Sequence, residues 1–196
     1  MKKLSFILLG ILIIVQIAVP FSMIRSRENI LRNGELFKFK TRPIDPADPF
    51  QGRYVRLGFE DDFIAYPKDR KPNLDYNEPV YVVLETDEDG FAKLVSWSRE
   101  KPAGDPFLLT RYIGMRGDWN NETKKRVHKG LRFDLPFDRF YMDEAKAPRA
   151  EQLAREATRT TNCWVDVRIL NGEAIIEDVF AEGVSLRELA QKKVAE

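Results

Sequence analysis

The stretch from Thr41 to Phe59, TRPIDPADPFQGRYVRLGF, constrains the fold of this chain more than any other. Each of its three prolines fixes its own φ and pushes the preceding residue toward extended backbone, so Asp45 and Asp48 lie on a stiff, non-helical approach. Gly52 permits a sharp turn into the strand that we predict for Arg53–Phe59. The stretch is therefore expected to form a stiff, non-helical entry to a strand.

An apolar segment lies at the N-terminus. Lys2 and Lys3 precede an uncharged run from Leu4 to Ile24, which spans about 30 Å as a helix and so matches the hydrocarbon core of a bilayer. Residues 18–23 contain no clean pair of small residues before a cleavage point, which favours an uncleaved helix over a cleaved signal peptide.

This segment divides the chain into two parts. We predict that residues 1–25 are a membrane anchor or signal-anchor, with residues 4–24 in the bilayer, and that residues 26–196 form an extracytoplasmic β-rich domain. The two lysines favour a cytoplasmic N-terminus, although Arg25 and Arg27 on the far side weaken this signal. The expected location is the cell membrane, crossed once, with the C-terminal domain on the periplasmic or extracellular side.

Apolar runs of strand length recur along the rest of the chain. They are Glu35–Arg42, Pro79–Thr86, Phe91–Ser98, Phe107–Gly114, Leu131–Phe137, Cys163–Leu170 and Glu173–Phe180. Asn171-Gly172 is a strong β-hairpin signal, and Asp87–Gly90 has the composition of a tight connection. We predict a mainly β (α+β) fold, an antiparallel β-sandwich or partly open barrel with one or two short helices.

The intervals between these runs are predicted to be less regular. The polar interval Glu60–Asn77 is predicted to be a loop, and Arg116–Asp118, which spells an adhesion tripeptide, is predicted to be a turn. Lys124–Lys129 is predicted to be a solvated basic loop. Short helices are predicted at residues 148–159, where a proline begins the helix, and at Leu186–Val194, after a capping box.

Charge and rare residues exclude several classes of protein. With 32 Lys+Arg and 31 Asp+Glu, the net charge of +1 is too balanced for a protein that neutralises nucleic-acid phosphates. The single cysteine, Cys163, excludes an internal disulfide, and the single histidine, His128, without a G-x-S-x-G turn argues against a Ser-His-Asp hydrolase. Nothing in the sequence predicts a metal site or a cofactor, and any small-molecule ligand is left open.

The proline-rich stretch resembles a known motif. Gly52, Tyr54 and Leu57 stand where the motif Gly-Asp-Tyr-x-x-Leu-x-Tyr has its glycine, first tyrosine and leucine, after two Asp-Pro pairs. In this respect the chain resembles the GDYXXLXY-domain proteins, a family of bacterial membrane-anchored proteins. Arg53 replaces the aspartate of the motif, which argues against a catalytic carboxylate there, and Phe59 replaces the last tyrosine, which indicates a packing role. The resemblance implies a membrane-anchored architecture without an assigned activity, and a multi-pass membrane protein as its partner.

The leading functional hypothesis is a non-enzymatic binding or assembly module that acts with an integral membrane protein or an envelope component. Its candidate binding residues lie on the proline-rich approach and the strand that follows: Asp45, Asp48, Arg53, Tyr54 and Arg56. An aromatic residue with nearby arginines supplies a compact contact patch. A structural role, in which the aspartates cap turns and the tyrosine packs, accounts for the same residues.

Two other functions are open. The first is a carboxylate-dependent envelope hydrolase, in which Asp45, Asp48 or Glu100 acts as acid or base. In that hypothesis Arg99 or Arg139 stabilises negative charge. The second is a purely structural assembly subunit, which would carry an exposed apolar patch.

Overall fold

The structure is a computed structural model and describes residues 2–42, 54–66, 73–104, 106–120, 124–141, 163–181, 183–185 and 188. Within these residues it has one helix, α1 (Lys2–Asn33), and twelve strands. The strands are, in chain order, β1 (Glu35–Arg42), β2 (Tyr54–Arg56), β3 (Gly58–Phe59), β4 (Phe63–Ala65), β5 (Pro79–Thr86), β6 (Ala92–Ser98), β7 (Phe107–Asn120), β8 (Lys125–Asp134), β9 (Arg139–Tyr141), β10 (Cys163–Leu170), β11 (Glu173–Ala181) and β12 (Val184–Ser185).

The helix α1 is 32 residues long and contains the apolar run. From Ile7 onward it is long and apolar enough to cross a membrane, and its most apolar part is not buried against the rest of the chain. A helix satisfies nearly all of its own backbone hydrogen bonds, as a span through hydrocarbon requires, and Pro20 inside α1 removes one of them. The helix continues past Ile24 without a break and ends only one residue before β1 begins.

Two five-stranded antiparallel sheets form the rest of the described structure. Sheet I has the strand order β12-β11-β10-β1-β3, and sheet II has the order β4-β8-β7-β5-β6. β2 and β9 form a separate two-stranded ribbon. Sheet I takes its strands from both ends of the chain, whereas sheet II is built from the middle. The predicted mainly β, antiparallel sandwich is therefore confirmed, and the described strands do not close into a barrel.

The β10–β11 hairpin joins the two sheets at its turn. Asn171 and Gly172 have φ values of 53° and 88°, the backbone conformation that an Asn-Gly pair tolerates. A Cβ at Gly172 would lie 2.7 Å from the ring of Phe107, so the turn also needs glycine for space. The Gly172 carbonyl accepts a hydrogen bond from the Leu109 amide of β7 at 2.9 Å. The predicted hairpin is confirmed and links sheet I to sheet II.

An aromatic cluster lies in the single apolar core between the sheets. The rings of Phe39, Phe59 and Phe137 have centroids 5.0 to 5.9 Å apart and are at most 4% exposed. Tilted and edge-to-face rings at such distances stabilise a core beyond the area that they bury. The packing role predicted for Phe59 is therefore confirmed.

The bounds of several strands differ from the prediction. Arg116–Asp118 lies inside β7 and not in a turn, and the basic interval predicted as a loop lies largely inside β8. These polar halves of β7 and β8 pair with each other beyond the apolar core, through register shifts that apolar periodicity does not reveal. Both predictions were wrong because the polar halves of β7 and β8 are held as strands by their hydrogen bonds to each other and need no alternation of apolar residues.

Two further intervals also differ. The strand predicted for Arg53–Phe59 is interrupted at Leu57, whose N–H donates to the Asp138 carbonyl at 2.8 Å, so its two parts join different sheets. The interval predicted as a loop after Phe59 contains β4, which pairs with β8. The helix predicted at residues 148–159 lies outside the described residues, as does the one at 186–194 apart from residue 188.

Candidate functional site

The predicted binding residues fall in and before the two-stranded ribbon. Tyr54 and Arg56 belong to β2, and the antiparallel register sets Arg56 opposite Arg139 of β9. Arg139 Nε lies 3.7 Å from Asp138 Oδ1. The other three predicted residues, Asp45, Asp48 and Arg53, lie outside the described residues.

Arg99, considered above for a hydrolase, is engaged elsewhere. Its Nε donates to Glu78 Oε1 at 2.5 Å, and its Nη2 donates to the Asn73 carbonyl at 2.7 Å. The Arg99 hydrogen bond, helped by the Asp75 amide, holds the pKa of Glu78 below its usual value. Glu100 is exposed, and the described contacts of Arg99 do not include its carboxylate. Arg99 therefore secures the segment before β5.

The helix α1 meets sheet I at a tight corner formed by Ile30, Gly34, Arg168 and Glu177, which we call the helix-sheet corner. Ile30 is only 4% exposed, and its carbonyl accepts a hydrogen bond from the Gly34 amide at 2.8 Å. Arg168 donates from Nη1 to the Gly34 carbonyl at 3.2 Å and from Nε to Glu177 Oε2 at 2.6 Å. Packing and charged hydrogen bonds together hold the last turn of the helix on the sheet.

Gly34 leaves no room for a side chain at this corner. A Cβ would lie 2.5 Å from the Ile30 carbonyl oxygen and 3.2 Å from both Arg168 Cβ and the Ile169 nitrogen. The shortest contact is with the last turn of the helix itself, and the two contacts with β10 are tighter than most side chains meet, so this position favours glycine. The helix consequently has a fixed direction relative to sheet I.

The outer face of sheet I carries an unusual carboxyl group. Asp166 of β10 lies between its register partners Lys38 of β1 and Asp178 of β11, and its Oδ1 is buried without a hydrogen-bond partner among the described residues. Burial raises the pKa of Asp166; Lys38 opposes this effect, and the negative charges of Glu177 and Asp178 add to it. Carboxyl groups with such surroundings are candidates for a functional role.

The neighbours of Asp166 form a half-buried polar and aromatic surface. A bulge opposite Asp166 and Val167 adds Glu177 to β11, and the rings of Trp164 and Phe180 stack with centroids 5.3 Å apart. We call Trp164, Asp166, Glu177, Asp178 and Phe180 the sheet I polar face. Because Glu177 also binds Arg168, this face adjoins the helix-sheet corner.

An ion triad ties the strands of sheet II together. Asp62, which is 4% exposed, accepts from Arg116 Nη1 at 2.6 Å and from Arg132 Nε at 2.7 Å. The Asp62 carbonyl also accepts from the Phe133 amide at 2.9 Å. The carboxylate is thus held by two charge-assisted bonds from two strands. Arg116, the first residue of the adhesion tripeptide, serves this triad and does not lie on a protruding turn.

Sequence reasoning missed both of these charged groups. Asp166 occupies a polar position in an alternating strand, which predicts only that it faces outward, and the bulge beside it leaves no mark in the sequence. Asp62 lies in an interval predicted to be a loop, and its arginines come from distant strands. Among the residues that the structure describes, no group of three or more His, Cys, Asp or Glu side chains is placed to hold a metal ion.

The fold and these surfaces define a class: a protein with one helix of membrane-spanning length joined directly to an antiparallel β-sandwich. Within that class the chain belongs to the family described as GDYXXLXY protein, which matches residues 16–179. The match begins inside α1 and ends inside β11, so the second half of the helix, the helix-sheet corner, all of sheet II and most of sheet I belong to the matched unit. No curated protein and no solved structure matches the chain.

Proposed function

We propose that this protein is a membrane-anchored, extracytoplasmic binding or assembly module that acts with an integral membrane protein or another envelope component. Two features support an anchor over a cleaved signal. The helix runs without a break beyond the apolar segment, and its last turn, at Ile30, is packed into the folded domain. Cleavage after the apolar run would remove most of the helix that leads into this packed turn.

The helix-sheet corner is the observation that carries this proposal. Residues 25–33 extend roughly 13 Å as helix beyond the apolar run, whereas the headgroup region on one side of a bilayer is roughly 5–8 Å thick. Sheet I then begins close to the membrane surface, in a direction set by Gly34 and Arg168. A fixed height and direction favour a partner in the same membrane, because binding costs less entropy when both partners are already oriented.

The ribbon is the contact surface that we propose for this partner. Tyr54 and Arg56 lie on β2 opposite β9, and the approach before β2 carries the other candidates, Asp45, Asp48 and Arg53. Arg56 and Arg139 occupy opposed register positions in the ribbon, and this basic character favours an acidic segment on the partner.

Crosslinking of the full-length chain in its native membrane tests this function. The variants Tyr54→Ala and Arg56→Glu are each compared with Arg111→Glu, a matched charge reversal at an exposed residue of β7 that hydrogen-bonds to Asn77 and lies opposite Asp134 of β8. We expect both ribbon variants to lose a crosslinked integral membrane protein at an unchanged melting temperature, and Arg111→Glu to keep it. A fall in melting temperature that matches the loss of crosslinking would assign the ribbon a structural role instead.

A further inference from the structure

The centre of the apolar run contains one strongly polar side chain. Gln16 is exposed on α1, and its amide makes no hydrogen bond to any residue that the structure describes. The hydroxyl of Ser22, in contrast, donates to the Val19 carbonyl at 2.8 Å and is satisfied within the helix. An amide without a partner in hydrocarbon costs about 4–8 kcal/mol relative to water. If α1 spans the bilayer as proposed above, Gln16 therefore needs a partner there.

Pro20 adds a second polar group at the same place. Proline has no backbone N–H, so the carbonyl of Gln16, four residues earlier, lacks its usual helical donor. Residues four apart lie on the same face of a helix, and the carbonyl points toward Pro20. Prolines in membrane helices are tolerated where a neighbouring helix satisfies the freed backbone group. Gln16 thus presents an amide and an unpaired carbonyl on one side of α1.

The apolar residues around Gln16 form a seam of the kind that pairs helices. The seam is Leu9, Leu12, Gln16, Val19 and Met23. Its members follow at alternating steps of three and four, the spacing that keeps one face of a helix against a partner. All five side chains are exposed. Ile14 and Phe21 lie on the opposite half of the helix.

We propose that α1 pairs in parallel with α1 of a second copy of this chain through Gln16. An amide carries donors and an acceptor, so two copies of Gln16 satisfy each other. In a parallel pair of identical helices, the two Gln16 side chains lie at the same depth in the membrane and can therefore meet. This pairing rests on the proposed anchor and adds a partner to it: another copy of the protein, with both β domains on the same side of the membrane.

Disulfide scanning of the full-length chain in membranes tests the pairing. The native Cys163 is buried at 3% exposure and can remain in place. Under mild oxidation, cysteines at the seam positions Leu12→Cys and Val19→Cys are expected to give a dimer, and those at Ile14→Cys and Phe21→Cys are not. Addition of Gln16→Leu should lower dimerisation about 3- to 20-fold.

A matched control moves the amide without changing the composition of the helix. The double variant Gln16→Ile with Ile14→Gln exchanges the two residues and keeps one glutamine near the same depth on the opposite face. We expect it to lose the crosslinks at Leu12→Cys and Val19→Cys and to gain one at Phe21→Cys. Thermal unfolding followed by tryptophan fluorescence should show an unchanged β domain, because Gln16 makes no contact with the sheets that the structure describes.

The outcomes separate this inference from the proposed function. Equal crosslinking on both faces, or a monomer at every position in a chain that still begins at Met1, overturns the pairing and leaves the anchor standing. An adduct with a different protein at the seam also overturns self-pairing. A mature chain that begins after the apolar run overturns the anchor and the pairing together.

Discussion

Replacement of Gly34 by alanine tests the helix-sheet corner directly. The new Cβ would lie 2.5 Å from the Ile30 carbonyl oxygen, so the hydrogen bond from the residue 34 amide to that carbonyl cannot survive in its present geometry. Loss of that bond costs about 0.5–1.5 kcal/mol. A fully buried apolar side chain contributes about 1.5–3 kcal/mol to the free energy of unfolding, and partial withdrawal of Ile30 from the sheet would lose part of this contribution.

Together these losses amount to about 2–3 kcal/mol for Gly34→Ala. For a protein of this size the melting temperature falls by about 2–4 °C per kcal/mol, which predicts a fall of roughly 4–12 °C. Tryptophan fluorescence of the full-length protein in lipid nanodiscs measures this melting temperature. Gly10→Ala is the control, because a Cβ at Gly10 meets nothing within 4 Å. An unchanged melting temperature in Gly34→Ala would refute the tight contact between residue 34 and the Ile30 carbonyl and its role in holding Ile30 on the sheet.

Three further predictions concern the sheets. The pKa of Asp166 is raised above the ordinary 3.8, so the native state binds the proton more tightly and loses stability as pH rises through the folded pKa. Asp166→Asn should therefore be more stable than the wild type at pH 7. The difference in the free energy of unfolding should be less than about 1 kcal/mol, because the group is partly exposed. Urea unfolding at pH 7 and in acid measures this difference, which should disappear in acid. Asp62→Ala removes the carboxylate that Arg116 and Arg132 both contact. Urea unfolding should show a free energy of unfolding lower by about 3 kcal/mol, whereas a loss below about 1 kcal/mol would contradict a buried triad. Gly130→Ala places a Cβ 2.0 Å from the Ile64 carbonyl oxygen and should detach β4 from β8. Amide hydrogen exchange in β4 should then be faster than in the wild type, and an unchanged exchange rate would contradict this contact.

The sequence predicted the elements whose signals are local. β1, β5 and β10 have the bounds expected for them, because each is an apolar or alternating run that ends at residues which interrupt a strand. The Asn171-Gly172 turn followed from the positive φ that this pair tolerates. The helix followed from an uncharged run that contains few groups able to bind water.

The features that the sequence did not predict depend on contacts between distant residues. The polar half of β7, which contains Arg116, is a strand only because β8 pairs with it. The surroundings of Asp166 depend on a bulge and on charges from β1 and β11, and no spacing within β10 encodes them. The ribbon that carries Tyr54 and Arg56 exists because β9 returns to β2 from far along the chain. Whether these residues bind a partner remains a prediction.

The pairing of β1 with β10 sets the order in which the protein can be completed during synthesis. Thr41 of β1 donates a hydrogen bond to the Cys163 carbonyl at 3.0 Å, across 122 residues of chain. At about 5–20 residues per second, the ribosome makes β10 about 6–25 s after β1. The first strand after the helix therefore waits with an open edge, while the strands of sheet II are made and can pair with each other. Lysines at positions 38 and 40 discourage other chains from joining that edge during the wait. A chain truncated before Cys163 would lack β10 and would leave this edge of β1 unpaired.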